Sequence, residues 1–247
     1  MSLLDKVEVT RRMCPVIFLL DSSGSMNGAP IGAVDSAIEG VLPVLASMND
    51  ENPDAEIRVA IMEFSSTAEW ITKEGLVSPN NYTWPTGQLS AEGPTQMGAA
   101  FKELNKKLSV KSGFMQRASG SVAPVLFLLS DGAPTDDYQS GLKALKENNW
   151  YKCAAKVAIG YSDQCDDEVL AEFTGNKETV LHTNDPNELK KMIRFVTITS
   201  SQVASSGKGG SAITTDGVQE SMEDNTAKLA EELQGGAIEN ADPDEEF

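Results

Sequence analysis

The chain has 247 residues, 40% hydrophobic and 23% charged, a balance that suits one large folded domain with an appendage. Its 20 lysines and arginines stand against 37 aspartates and glutamates, a formal charge of -17 at pH 7. A surface of that sign repels nucleic-acid phosphates and anionic lipid, so neither nucleic acid nor membrane is expected as a partner.

The first thirteen residues, MSLLDKVEVTRRM, lack an apolar run of signal-peptide length. The most apolar stretch, Pro15 to Leu20, falls far short of the roughly 20 residues that span a bilayer, and a cytoplasmic location is the expectation. Residues 14–20, CPVIFLL, form a continuous apolar run that stops at Asp21, as in a central parallel strand covered on both faces. After the polar loop Asp21 to Gly28, Pro30 suits a first helical turn, and Ile31, Val34, Ile38, Val41, Leu42 and Leu45 recur at helical spacing. Pro43 is positioned to kink the end of that helix.

Segments 56–64 and 68–77 are separated by Ser65, Ser66 and Thr67, which is hairpin spacing and predicts an antiparallel edge strand. A loop rich in Pro, Asn, Thr and Gly (78–94) leads to a helix near Gln96, with Met97, Phe101, Leu104 and Leu108 on one side. Residues 124–130, PVLFLLS, read as a second buried strand, again ending at an aspartate, Asp131. The remainder alternates: helix 138–147, strand 153–159, helix 166–173, strand 179–182 and helix 186–203. Such alternation implies a doubly wound α/β fold, mostly parallel, with helices on both faces and one antiparallel edge strand. Of the three cysteines, Cys14 and Cys153 open strand-like segments; with Cys165 they form no CxxC pair, and all three are expected to be reduced and structural. His182, the one histidine, reads as a strand-end residue.

The domain so defined covers residues 1–204, and residues 205–247 form an acidic C-terminal tail, flexible or partly helical. The tail carries two basic and eleven acidic residues, more than half of the net charge. Val218, Met222, Leu229 and Leu233 make a sparse helical stripe there, ended by Gly235 and Gly236, while the final ADPDEEF offers tethered carboxylates. A solvated tail is the favoured reading over one that docks on the metal site described next.

Three segments carry the chemistry: Asp21-Ser22-Ser23-Gly24-Ser25 after the first strand, Thr95 before a helix, and Asp131-Gly132 after the second buried strand. In a doubly wound sheet, loops at the carboxyl ends of the strands converge at the topological switch point. Two carboxylates and three hydroxyls would then meet at one place. An oxygen-only donor set selects a hard cation, Mg²⁺ foremost and Mn²⁺ also, and ligation through the neutral hydroxyls of Ser23 and Ser25 leaves charge on the ion for an outside anionic oxygen. Ser25 and Thr95 as helix caps and Asp131 as a turn residue is the plainer alternative. Asp136 and Asp137, in PTDDY, are expected to cap the helix that follows rather than bind metal.

The segment DSSGS fits the Asp-x-Ser-x-Ser motif of von Willebrand A domains, and Thr95 in TQMGAAF and Asp131 in LLSDG resemble the other two elements of that family's metal-ion-dependent adhesion site. The resemblance implies metal residues Asp21, Ser23, Ser25, Thr95 and Asp131, with a partner's Asp or Glu completing the coordination and no catalytic activity. Pro94 departs from the pattern, which commonly has Gly or a small residue before the threonine. Over residues 13–204, SDGAPTDDYQSGLKAL and DSSGSMNGAPIGAV are further similar to the bacterial TerY-like proteins. That similarity implies a setting in tellurite resistance, stress response or phage defence, alongside a protein kinase and a protein phosphatase.

Two rivals share the aspartate after the first strand. A Mg²⁺-dependent phosphohydrolase would use it as nucleophile, but position 23 is Ser23 where a second acid is needed, and no Lys or Arg occurs between Met13 and Ile57 to steady a phosphate. A subunit of a chelatase or ATPase-type assembly would use the same metal site. Residues 21–28 contain neither GxxxxGK[ST] nor GxGxxG, which argues against nucleotide binding.

Overall fold

The computed structural model describes residues 11–53, 55–73, 75–111, 114–117, 119–163 and 165–205, and the tail beyond 205 lies outside them. Strand β1 (Arg12–Asp21) is buried over all but its first residue, because parallel neighbours flank it on both edges: β2 (Ala55–Phe64) and β4 (Val125–Ser130). Its side chains alternate between two cores. Cys14, Val16, Phe18 and Leu20 pack with α1 (Ala29–Glu51) and with Leu189, Met192 and Ile193 of α6 (Pro186–Ser205). Ile17 and Leu19 point the other way, toward α2 (Met97–Lys107), α3 (Tyr138–Glu147) and α5 (Asp167–Thr174). This period of two explains why the strand reads as an unbroken apolar run.

The sheet has six strands in the order β3-β2-β1-β4-β5-β6, where β3 is Ala68–Trp70, β5 Ala155–Tyr161 and β6 Val180–Thr183. All neighbours are parallel except β2 and β3. The doubly wound, mostly parallel sheet with one antiparallel edge and helices on both faces is therefore present. The strand order reverses between β1 and β4, so the loops leaving those two strands diverge and leave a crevice between them.

Several boundaries differ from the sequence reading, each for a local reason. The edge strand is three residues rather than ten. The Ile71 N–H still reaches the Ile61 carbonyl at 2.8 Å, but at Thr72 the side chain takes over, its Oγ1 accepting the Ile61 N–H at 3.1 Å. The chain then turns through Gly75 and returns to pair Val77 with Val59. Cys153 lies outside β5, since a one-turn helix α4 (Asn149–Lys152) intervenes, capped by the Asn148 side chain on the Trp150 N–H. Helix α1, whose end Pro43 is expected to kink, continues past the proline to Glu51. Burial of Ile31, Val34, Ile38, Val41, Leu42 and Leu45 on the sheet outweighs the one backbone hydrogen bond that Pro43 cannot donate.

At the end of the sheet opposite the crevice, buried Asn49 of α1 substitutes for a missing strand neighbour. Its Oδ1 accepts the Ile57 N–H at 2.8 Å, and its Nδ2 donates to Asn80 Oδ1 at 2.9 Å. Asn49→Ala leaves the Ile57 N–H buried without that acceptor and should cost about 1–3 kcal/mol in urea unfolding. Because Asn49 is remote from the crevice, metal affinity measured on the same variant should be unchanged.

Candidate metal centre

Asp21 is the last residue of β1 and fully buried, with both carboxylate oxygens engaged. Oδ1 accepts the Ser23 N–H at 2.8 Å, and Oδ2 accepts the Ser130 hydroxyl at 2.5 Å. The second bond crosses from β1 to β4 and fixes the two strand ends against each other. Ser23 and Ser25 follow in a tight turn (a 3-10 turn at Gly24–Met26), and their hydroxyl oxygens lie 3.1 Å apart. Ser25 donates to Asp131 Oδ1 at 2.7 Å. Asp21, Ser23, Thr95 and Asp131 are buried and Ser25 is exposed, so the cluster has a closed floor and an open mouth.

Thr95 arrives from a loop clamped at several points. The Gly93 carbonyl accepts the Gly24 N–H at 2.9 Å, and the Glu92 N–H donates to the Ser22 carbonyl at 2.8 Å. Gly93 has φ +75°, and a Cβ there would stand 2.2 Å from Ser66 Oγ, so glycine is what permits the close approach. The flexibility absent at Pro94 is thus supplied one residue earlier. Thr95 Oγ1 lies 3.7 Å from where a Cβ of Gly132 would be, which sets it against the Asp131-Gly132 loop. All five residues singled out in the sequence meet here.

Asp136 corrects the sequence reading and adds a sixth residue. Asp137 does cap the helix that follows it, accepting the Ser140 N–H at 3.1 Å, and this contact holds its carboxyl below the usual range. Asp136 caps a different helix: its two oxygens accept the Gly98 and Ala99 N–H groups at 2.8 and 2.9 Å, at the start of α2. Together with the Thr135 N–H on the Thr95 carbonyl at 2.9 Å, it ties the Thr95 loop to the Asp131 loop. Adjacent acids at a helix start signal capping in the sequence, but only the sheet order shows that the capped helix is one crossover away. A further prop lies behind Asp131. Ser162, at φ +80°, donates its hydroxyl to the Asp131 carbonyl at 3.0 Å.

The electrostatics call for a cation. Burial pushes the carboxyls of Asp21 and Asp131 above their usual range; hydrogen bonds from Ser130, Ser23 and Ser25 oppose this, and Asp131 pushes Asp21 further up. Among the described residues neither carboxylate has a Lys or Arg partner. Nearby in the fold, Glu63 is pushed up by burial and by Glu69 and Glu92. A set of closely packed hydroxyl and carboxylate oxygens, with no positive side chain, fits a hard divalent ion bound by Ser23, Ser25 and Thr95, with Asp21 and Asp131 behind them. Phosphoryl transfer fits poorly, since a nucleophilic Asp21 would have to give up two buried hydrogen bonds to expose an oxygen.

A family model described as the von Willebrand factor type A domain matches residues 16–195, well over half of the chain. Among solved structures, a von Willebrand factor type A protein from Catenulispora acidiphila is 17% identical with a TM-score of 0.57, covering 77% of this chain and 43% of its own. The ArnB paralog VWA2 from Sulfolobus acidocaldarius is 16% identical with a TM-score of 0.54, covering 75% of this chain and 45% of its own. Proximal thread matrix protein 1 from the mussel byssus, with a zinc-occupied metal-ion-dependent adhesion site, is 16% identical with a TM-score of 0.54 and covers 76% of this chain and 48% of its own. The chain thus spans less than half the length of these three structures. No curated protein matches it.

The clamp between α2 and the Asp131 loop reverses an ordinary rule. In an exposed helix Gly→Ala stabilises by roughly 0.8–1 kcal/mol. At Gly98 an added Cβ would stand 2.5 Å from the Asp137 carbonyl and 2.8 Å from Asp136 Oδ2. Gly98→Ala should therefore destabilise the protein by about 1–3 kcal/mol in chemical denaturation. A stabilised variant would refute the clamp.

Proposed function

The chain belongs to the von Willebrand factor type A domain family, and we propose that it acts as a metal-dependent protein-protein interaction module that binds an acidic residue of its partner. Domains of this family are in general interaction modules rather than enzymes, and this reading assigns the chain no catalysis. The observation that carries it is the convergence of Asp21, Ser23, Ser25, Thr95 and Asp131 from three separate loops, with the Ser25 hydroxyl at the open mouth.

Ser23, Ser25 and Thr95 would present neutral hydroxyls to the ion, while Asp21 and Asp131, held by their own hydrogen bonds, would balance its charge from behind. A bound Mg²⁺, or Mn²⁺, would supply a Lewis-acidic position able to take one further oxygen, for which a partner's Asp or Glu is the matching hard donor. The zinc in the mussel protein supports a divalent ion at this place, and the oxygen-only donors favour Mg²⁺ over zinc. Glu92, whose N–H is bonded to the Ser22 carbonyl beside the site, and the formal charge of -17 would disfavour an acidic partner in the absence of the ion, which makes recognition conditional on it.

The setting proposed is a bacterial cytoplasm, in tellurite-resistance, stress or phage-defence signalling with a protein kinase and a protein phosphatase, and without nucleic acid or membrane. Its support is the similarity of residues 13–204 to TerY-like proteins and the formal charge of -17. A pull-down from the native cell with and without EDTA tests the setting, with the kinase and phosphatase expected only in the metal-replete sample.

Calorimetric titration with Mg²⁺ and Mn²⁺ tests the site itself. Ser23→Ala and Asp21→Asn should abolish binding while circular dichroism stays native, because asparagine at the end of β1 keeps an acceptor for the Ser23 N–H and Ser23 lies on the loop that follows. In the wild type, saturation at about a hundredfold over Kd should add about 2.7 kcal/mol of stability, and both variants should lose that increment. Unchanged affinity in both would sink the reading.

A further inference from the structure

Beside the Ser162 prop, at the carboxyl ends of β5 and β6, three side chains of different chemistry meet outside the site described above. His182 Nε2 lies 3.2 Å from Asp167 Oδ1, and Cys165 Sγ lies 3.5 Å from the same oxygen. One donor atom from each residue falls within 4.8 Å of the other two. These are the sequence's one histidine and a cysteine with no disulfide partner, brought together by the β5–α5 loop, the first turn of α5 and strand β6.

From this geometry we infer a second metal site, in which Cys165 Sγ, His182 Nε2 and Asp167 Oδ1 bind a borderline-soft divalent ion of the zinc class. Zinc bonds of about 2.3 Å to sulfur and about 2.0 Å to nitrogen or oxygen, at tetrahedral angles, put neighbouring donor atoms roughly 3.3–3.6 Å apart. Of the two separations to Asp167, that from Cys165 falls in this range and that from His182 lies just under it. A thiolate and an imidazole select zinc over Mg²⁺, which prefers oxygen alone.

The backbone beneath makes room for the group. A Cβ on Gly160 of β5 would stand 2.5 Å from Cys165 Sγ and 2.5 Å from His182 Cε1, so the two side chains converge over a position that only glycine leaves free. The cluster opens onto a pocket of about 510 Å³, also lined by Ser162, Thr183 and Glu188. With three donors from the chain and a pocket in front, a fourth position faces outward for water or an external ligand, as in three-ligand zinc centres. Cys165 donates toward Asp167 rather than toward His182, which is not the arrangement of a cysteine activated by a histidine base.

The site would also bear on the first. Ser162 donates its N–H to the Thr183 carbonyl at 3.0 Å and its hydroxyl to the Asp131 carbonyl at 3.0 Å. An ion joining Cys165 to His182 would tie the loop that carries Ser162 to β6.

Cobalt titration of the full, reduced chain tests the inference, performed in a Ser23→Ala background that silences the first site. Cobalt should produce a near-ultraviolet thiolate charge-transfer band that saturates at one ion per chain, persists in excess Mg²⁺ and is bleached by zinc. Cys165→Ser should abolish the band, and Asp167→Asn should weaken affinity on the order of tenfold or more, with circular dichroism unchanged in both. Gly160→Ala should abolish it as well. The inference is overturned if no band forms, if it survives Cys165→Ser, or if Mg²⁺ removes it. A band also present in the wild type and lost in Ser23→Ala would place the thiolate signal at the first site and overturn it equally.

Discussion

The hydrogen bond from Ser130 to Asp21, 2.5 Å long and buried, is the constraint on which the rest of the functional end depends. It joins the last residue of β1 to the last residue of β4 at the place where the strand order reverses. From that fixed point the two loops leave in defined directions: the serine turn, pinned by the Ser23 N–H on the other oxygen of Asp21, and the Asp131 loop, met by Ser25. Neither loop would have a defined position without the sheet, and the sheet owes its centre to β1, whose side chains supply both cores. The fold and the site are thus linked through one carboxylate.

That carboxylate is an expensive choice for stability alone. Burial pushes Asp21 above its usual range, and Asp131 pushes it further, so the folded protein without a cation disfavours the charged forms. An asparagine could accept the Ser23 N–H as well, without the like-charge repulsion. A buried pair of acids with no basic partner among the described residues makes physical sense as a receptor for positive charge, in which the binding of an ion would offset the desolvation that folding imposed. The neutral hydroxyls in front serve the complementary purpose. They would bind an ion without cancelling its charge, so that whatever affinity it kept for anions would be directed outward through the mouth at Ser25.

How much of this was legible in the sequence follows from the range of the interactions involved. Buried strands that stop at aspartate are local signals, and β1 and β4 were read from CPVIFLLD and PVLFLLSD. The five residues that meet at the crevice were legible because each sits at or just beyond the end of an element whose type was clear and because their order fits a family motif. Contacts between elements were not. The Asp136 cap acts on α2 from the loop before α3, and no spacing rule reaches across a crossover. The short edge strand failed for a related reason: Thr72 replaces a backbone bond with a side-chain bond, which a threonine in an apolar-polar stretch does not announce. His182 read as a strand-end residue and lies one residue before the end of β6, but its neighbours Cys165 and Asp167 are visible only once β5 and β6 pair in register.

The same register explains why the two candidate centres would differ in kind. Both lie at the carboxyl ends of parallel strands, and Ser162 touches the backbone of each. At the β1/β4 crevice the loops diverge, and space remains for a partner to reach an ion held by oxygens. At β5/β6 the strands are adjacent without reversal, so the loop and α5 fold back over Gly160 and bring sulfur, imidazole and carboxylate within ligand range of one another. Sheet topology decides which loops at the strand ends diverge and which fold back over their neighbours. Residue chemistry then decides the ion: hydroxyls and carboxylates at the β1/β4 crevice suit a hard cation, and a thiolate with an imidazole at β5/β6 suits a borderline-soft one.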